Sequence, residues 1–220
     1  MNQRLHTLGA AGLALFWATR IAVAQDYKAE EFTAPPPQEV AAPVRALLTD
    51  QGVRVVGPNG VHCEIWLRKE IPVSASPSPV LGVAYPGLPE GGLVGAVRFP
   101  AATSDFRNRA IQPGVYTLRY GRHPVNGDHM GVAPYRDFLL ALPAAADGAD
   151  ETKAFDPLVA LSAKASGTTH PSVWSLMPPE EKPASLPAVV EHPDEGLWVL
   201  YAQAANVVLA LVVVGHAPEA

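Results

Sequence analysis

Residues 111–142, IQPGVYTLRYGRHPVNGDHMGVAPYRDFLLAL, decide how this chain folds. In the first third Tyr116, Leu118 and Tyr120 share one face while Val115, Thr117 and Arg119 share the other, the two-residue period of a half-buried strand. Pro113-Gly114 just before it supplies a fixed φ and then a permissive residue, a turn into that strand. The last seven residues, 136–142, are apolar on both faces after Arg136 and Asp137. A strand of that kind is buried on both sides, or carries a loop or helix across its outer face. Between the two runs lies a connection of about fifteen residues, far longer than a tight hairpin allows. It holds His123, Asn126, Asp128, His129, Tyr135 and Arg136, the densest polar cluster in the chain.

Working outward, residues 53–56, a Pro58-Asn59-Gly60 turn and residues 61–68 read as a hairpin. In its second strand Val61, Cys63, Ile65 and Leu67 share one face and His62, Glu64, Trp66 and Arg68 the other. Further strands are expected at 80–85, 93–99, 172–176, 188–191, 197–202 and 207–214, the last continuously apolar and therefore central in a sheet. Residues 41–49 hold one helical turn or two. One convincing short helix falls near 157–165, with Asp156 as N-cap, Pro157 at the first helical position and Gly167 ending it. The 23 Pro and 18 Gly fall between short apolar runs, the punctuation of many strands and turns. The expected fold is all-β and mainly antiparallel: a single β-sandwich domain over 41–220, immunoglobulin-like or jelly-roll-like. Residues 25–40, with Pro35-Pro36-Pro37, read as an extended leader onto it.

The N-terminus reads as a secretory signal over residues 1–24: Arg4, an apolar run over 8–18, and Ala22-Val23-Ala24 as a small-x-small cleavage site. That run is too short for a stable membrane anchor, and there is no Cys at the site for a lipid. The expected location is periplasmic or secreted, with the protein not embedded in a membrane. Cleavage would remove Arg4 and Arg20 and no acid, taking the formal charge from −5 to −7. An acidic chain argues against nucleic acid and anionic membranes as partners. Cys63 is the only cysteine, so the core has to hold without an internal disulfide.

The chemistry-bearing residues offer several readings. His123, Asp128 and His129 lie within seven residues, and His170 stands at a His-Pro corner elsewhere; imidazole and carboxylate are ligands for a divalent ion such as zinc or copper. The plainer reading is a tight Asn126-Gly127-Asp128 turn with His129 packed under it. A blue-copper site is excluded, since Cys63 is followed by Glu64, Ile65 and Trp66. No G-x-S-x-G, H-E-x-x-H or S-x-x-K pattern supports a hydrolase, and His62 points away from Cys63 on a strand. Trp66, sharing a face with His62, Glu64 and Arg68, is the best candidate for an exposed platform that stacks on a sugar, with Tyr135 and Arg136 as further ligand contacts. The partner is then a protein, a carbohydrate or a small molecule.

The patterns I-x-P-G-x-Y-T-L-R-Y at 111–120, G-D-H-M-G at 127–131 and R-D-F-L-L at 136–140, with S-G-T-T-H-P at 166–171 and V-V-V-G at 212–215, resemble a group of uncharacterised exported bacterial β-domain proteins. The likeness covers most of the chain after residue 24. It implies export and a β domain and brings no catalytic residue. The resulting expectation is an exported, non-catalytic binding or structural domain. The alternative is a metal-dependent periplasmic protein, a metal carrier or hydrolase, working through the His/Asp loop 123–136.

Overall fold

The structure, a computed structural model, describes residues 26–125, 135–148 and 152–217. Its strands are β1 (Lys28–Thr33), β2 (Leu48–Gly57), β3 (Gly60–Arg68), β4 (Leu93–Phe99), β5 (Thr103–Ser104), β6 (Ala110–Ile111), β7 (Gly114–Arg122), β8 (Asp137–Pro143), β9 (Ser172–Met177), β10 (Ala188–His192), β11 (Leu197–Ala204) and β12 (Val207–Val214). Among the described residues two α-helices accompany them, the single turn α1 (Ala42–Arg45) and α2 (Phe155–Ser166). No helix among the described residues is long and apolar enough to cross a membrane.

Ten strands form one antiparallel sheet in the order β1-β2-β3-β4-β7-β8-β9-β12-β11-β10, while β5 and β6 make a small separate hairpin. The edge strands β1 and β10 lie against each other, and Tyr27 packs on Trp198 across that seam with ring centroids 5.2 Å apart. The sheet is therefore barrel-like and nearly closed, which corrects the expected two-layer sandwich of immunoglobulin or jelly-roll type. Strand twist, accumulated over ten strands, brings the edges round, and the pairing never breaks into two sheets. Alternation cannot tell the two apart, because both architectures give each strand one inward face.

Two further expectations change. Lys28–Thr33 is not part of a free leader: it pairs with β2 from Lys28↔Val56 to Thr33↔Gln51, and its Phe32 packs edge-on against Trp66. Residues 80–85 are not a strand. They belong to the long β3–β4 connection, which folds into the barrel so that Ile71, Tyr85 and Leu88 join the interior core with Leu67, Leu118, Tyr120 and Trp174.

The doubly apolar run at 137–142 behaves as its pattern demands. Leu139 and Ala141 face the interior, while Phe138, Leu140 and Leu142 face outward onto Leu158 of α2. The helix starts from Ala154 with Asp156 inside the first turn rather than as the cap, and it ends on Gly167 at φ 64°. Ser162, buried on its inner face, donates to Ala141 O at 2.8 Å and accepts from Ser172 N at 2.9 Å, tying α2 across β8 and β9.

Buried polar groups hold the loops to this wall. Asp137, fully buried, accepts from Ala84 N (2.7 Å), Tyr85 N (3.1 Å) and the Tyr120 hydroxyl (2.6 Å), which fixes the plug to β7 and β8. The Tyr85 hydroxyl in turn donates to Met177 O and accepts from Ala210 N, entering between β9 and β12 where they pair over only two positions. On the outer face Arg119 meets Asp147 through Nε (2.7 Å) and Nη2 (2.9 Å), both residues fully buried. Gly91 sits at φ 77° and accepts from Arg119 Nη1; a side chain there would collide with the Lys153 carbonyl, so glycine is needed for that turn to lie on β7.

Replacing Asp137 by Ala strands the Ala84 and Tyr85 N–H groups, each worth about 1–3 kcal/mol when buried unpaired, while the Tyr120 hydroxyl keeps Tyr85 O at 3.2 Å. Urea unfolding of Asp137→Ala should show a loss of at least about 2 kcal/mol; a loss under about 1 kcal/mol would mean that the β3–β4 connection is not held there. His62 gives a second prediction. A bulge between Val55 and Val56 makes it the extra residue of β3, its Nε2 donates to Val213 O at 2.9 Å, and its ring meets Tyr27 and Phe99 edge-on. Burial pushes its pKa below the usual 6.5, against the opposing effect of the Val213 bond. The neutral ring's contribution is therefore complete above pH 6.5 and is lost as pH falls from there through the lowered folded-state value. Thermal midpoints should decline over that window in the parent and decline less in His62→Gln; parallel slopes would count against it.

Candidate functional site

The cleft that gathers polar side chains over an apolar floor lies beside α2. Its volume is about 500 Å3. The floor comes from the outward faces of β8 and β9, Phe138 and Val173, and from Phe155 and Val159 in the first turns of α2. One wall is the β5–β6 tip with Arg107 and Arg109; the others are His123-Pro124 after β7 and Thr169-His170-Pro171 between α2 and β9.

Local physics sets each wall. Asp105 is fully buried and builds the tip: Oδ1 accepts from Arg107 N (3.0 Å) and Arg109 N (2.9 Å), and Oδ2 from Arg109 Nε (3.1 Å). The same Oδ2 accepts from Val173 N at 3.1 Å, and Phe106 N donates to Val173 O, so the tip is bonded to the start of β9. Asn108 takes a left-handed φ of 57° to close the turn. His123 lies against Phe138 with ring centroids 4.4 Å apart. His170 Nδ1 contacts Thr169 Oγ1 at 3.2 Å, and its carbonyl accepts from Ser166 Oγ and Thr168 Oγ1, which shapes the turn that presents it.

Of the expected metal set, His123 and His170 both line this cleft. Asp128 and His129 lie outside the described residues. Among the described residues no group of three His, Cys, Asp or Glu is placed to hold a metal ion. Of the expected ligand contacts, Arg136 is engaged elsewhere: Nε donates to His123 O (2.8 Å) and Nη1 to Leu81 O (2.9 Å), bracing the 80–83 turn on the β7–β8 hairpin. Tyr135 packs on the outer cluster with Phe106 and Tyr201.

Trp66 corrects the sugar-platform expectation. It is 2 % exposed, covered by Phe32, and its indole N–H donates to Ala34 O at 3.0 Å. The chain segment read as a leader is what covers it. A second, open cleft of about 680 Å3 does lie alongside, but its charges are matched internally. Arg54, Glu64 and Arg98 are cross-strand neighbours on β2, β3 and β4, and Glu64 takes both guanidiniums. Burial alone would raise the Glu64 pKa; the bonds from Arg54 and then Arg98 outweigh it and hold the carboxyl below its usual range.

Sequence reasoning missed Arg107, Arg109, Phe138 and Phe155 as cleft residues. The available signal was Asp105 followed at two and four residues by Arg107 and Arg109 with Asn108 between, an Asx-type turn carrying two cations. Comparison of the chain with protein-family models, with curated proteins and with solved structures gives no match.

Cys63 faces the interior, and burial first, then the Glu64 charge, push its thiol pKa far above the ordinary value. Native protein at pH 8 should leave a thiol-disulfide reagent unreacted over hours and release one equivalent on denaturation. Rapid native labelling would put Cys63 in reach of solvent.

Proposed function

We propose that this chain is an exported, non-catalytic binding domain whose ligand is a small molecule held in the α2 cleft. The observation that carries the reading is convergence: Arg107 and Arg109, His123, and His170 come from three separate loops onto one floor of Phe138, Phe155, Val159 and Val173. A volume of about 500 Å3 falls among ordinary small-ligand sites, which pair an apolar lining with a few placed polar groups. Those groups are fixed by local turns, Arg109 by Asp105 and the His170 turn by the 166–170 hydroxyls, which lowers the ordering cost of recognition. Export rests on Arg4, the apolar run over 8–18 and Ala22-Val23-Ala24, and a periplasmic or secreted location goes with it.

A second reading, a zinc- or copper-dependent protein, is favoured by His123 and His170 reaching the same cleft. Arg107 and Arg109 oppose it, since two guanidiniums disfavour a bound cation.

An NMR fragment screen on the full chain tests the first reading. Fragments should shift amides at 107–109, 123–124, 155–159 and 169–173, and Val159→Trp, which fills the floor, should abolish those shifts. Shifts gathered elsewhere would overturn it. Stoichiometric zinc that is retained by the parent and lost in His170→Ala would establish the second reading instead.

A further inference from the structure

We propose that the barrel end bearing Leu81 docks on a lipid bilayer, its apolar loop tips entering a zwitterionic surface and Arg136 meeting the phosphate of the headgroups. The surface borders the mouth of the α2 cleft but needs no ligand there.

Among the described residues five large apolar side chains are exposed: Val61, Val80, Leu81, Val125 and Phe155. Exposed apolar residues scattered singly need no explanation, but four of these five lie together. Arg136 links them, its Nη1 donating to Leu81 O and its Nε to His123 O, two residues before Val125. The His123 ring lies on Phe138, and Phe138 meets Phe155 edge-on with centroids 6.5 Å apart. Val61 is elsewhere. Strands β3 and β7 are both antiparallel to β4, so Val61 at the start of β3 stands at the opposite end of the barrel from His123 after β7.

The leading tip is built to stay out in water. Ser74 N donates to Gly87 O at 3.0 Å and closes the base of the segment 74–87, while Tyr85 and Leu88 anchor it in the barrel interior. At the tip Val83 N donates to Val80 O, and Gly82 O accepts from Arg136 N, so the turn has one shape. Leu81 is nevertheless 92 % exposed and Val125 71 %, apolar surface that a neighbouring apolar phase would cover. These side chains project from three separate segments, the 80–83 turn, the end of the β7 hairpin arm and the first turn of α2. A bilayer moulds itself around separate projecting tips, as a rigid partner surface does not.

Arg136 supplies the charge complementarity. Among the described residues no carboxylate pairs with it, and its side-chain bonds go to two carbonyls, which leaves Nη2 donors over. Neighbouring Asp137 is turned inward onto Ala84, Tyr85 and Tyr120, and Arg122 is matched by Glu90. A guanidinium fixed beside an inserting leucine fits a phosphate at headgroup depth. The formal charge of −5 disfavours an anionic bilayer, so the lipid is zwitterionic.

The test is flotation of the full chain with phosphatidylcholine vesicles, with and without about 30 % phosphatidylglycerol. The parent should float with pure phosphatidylcholine, changing less than about twofold between about 50 and 500 mM salt, and phosphatidylglycerol should not strengthen it. Leu81→Asp and Val125→Asp should each weaken partitioning about tenfold or more, and Val61→Asp should leave it unchanged. Arg136→Gln should weaken it about threefold and Arg136→Lys should restore it; equal loss in both would remove the phosphate contact. A direct readout keeps the proposal falsifiable if a variant is unstable. Leu81→Cys carrying a polarity-sensitive fluorophore, attached while Cys63 is buried, should shift to the blue on vesicles, and Val61→Cys should not. No flotation, flotation that requires phosphatidylglycerol or vanishes at high salt, or a blue shift at Val61 alone would overturn the docking. A dimer in solution that depends on Leu81, without flotation, would put a second copy on this surface and overturn it too.

Discussion

A sheet of ten strands bent nearly to closure leaves a lumen wider than the strands' own side chains fill in the smallest barrels, and filling it is the constraint from which the remaining structure follows. The β3–β4 connection supplies the missing volume with Ile71, Tyr85 and Leu88. Apolar burial drives it in, but backbone carried into an apolar space needs its polar groups met, and Asp137 meets those of Ala84 and Tyr85. The consequence travels round the wall. Tyr85 enters between β9 and β12, whose pairing is reduced to two positions. At Val173, near the start of β9, the backbone groups are met by Asp105 and Phe106, and the chain after β12 joins the same patch through Ala217 N donating to Phe106 O. The two arginines of the cleft stand on the tip thus docked.

The outer face is covered in patches, and each patch is fixed by a buried charge or hydroxyl. Over β2–β4 the segment around α1 lays Val40 and Val44 on Trp66, beside the Arg54–Glu64–Arg98 row. Over β7 the Arg119–Asp147 pair anchors the segment that follows β8. Over β8 and β9 Ser162 anchors α2. A buried ion pair is a weak source of net stability, because desolvation consumes most of the attraction. Its effect here is positional: removing one partner would strand the other, so each loop has one admissible place. The two large outer clefts hold their arginines differently, Arg54 and Arg98 on a strand carboxylate and Arg109 on Asp105 within a loop tip.

Part of the candidate site was legible before any coordinates. His123 and His170 stood out as chemistry-bearing residues, and both line the α2 cleft. Arg107 and Arg109 went unread, because nothing local says that the turn carrying them docks on β9. Trp66 misled for a related reason. Strand alternation puts it on the outward face, correctly, but outward is not exposed when Phe32 and the proline-containing segment lie across it.

The sequence alone determined most local states: the strands where apolar residues alternate or run unbroken, 80–85 excepted, a helix ended by Gly167 in the left-handed region, a doubly apolar 137–142 strand needing cover on both faces, and a core without a disulfide. These follow from φ preferences and from the period of side chains along a strand, both properties of neighbouring residues. Only the tertiary structure decided that the sheet curls into a near-barrel rather than splitting in two, that Lys28–Thr33 completes its edge, and that the β3–β4 connection puts Ile71, Tyr85 and Leu88 into its lumen. Those outcomes depend on twist summed over ten strands and on the volume left inside. Neither quantity is written in any short stretch of chain.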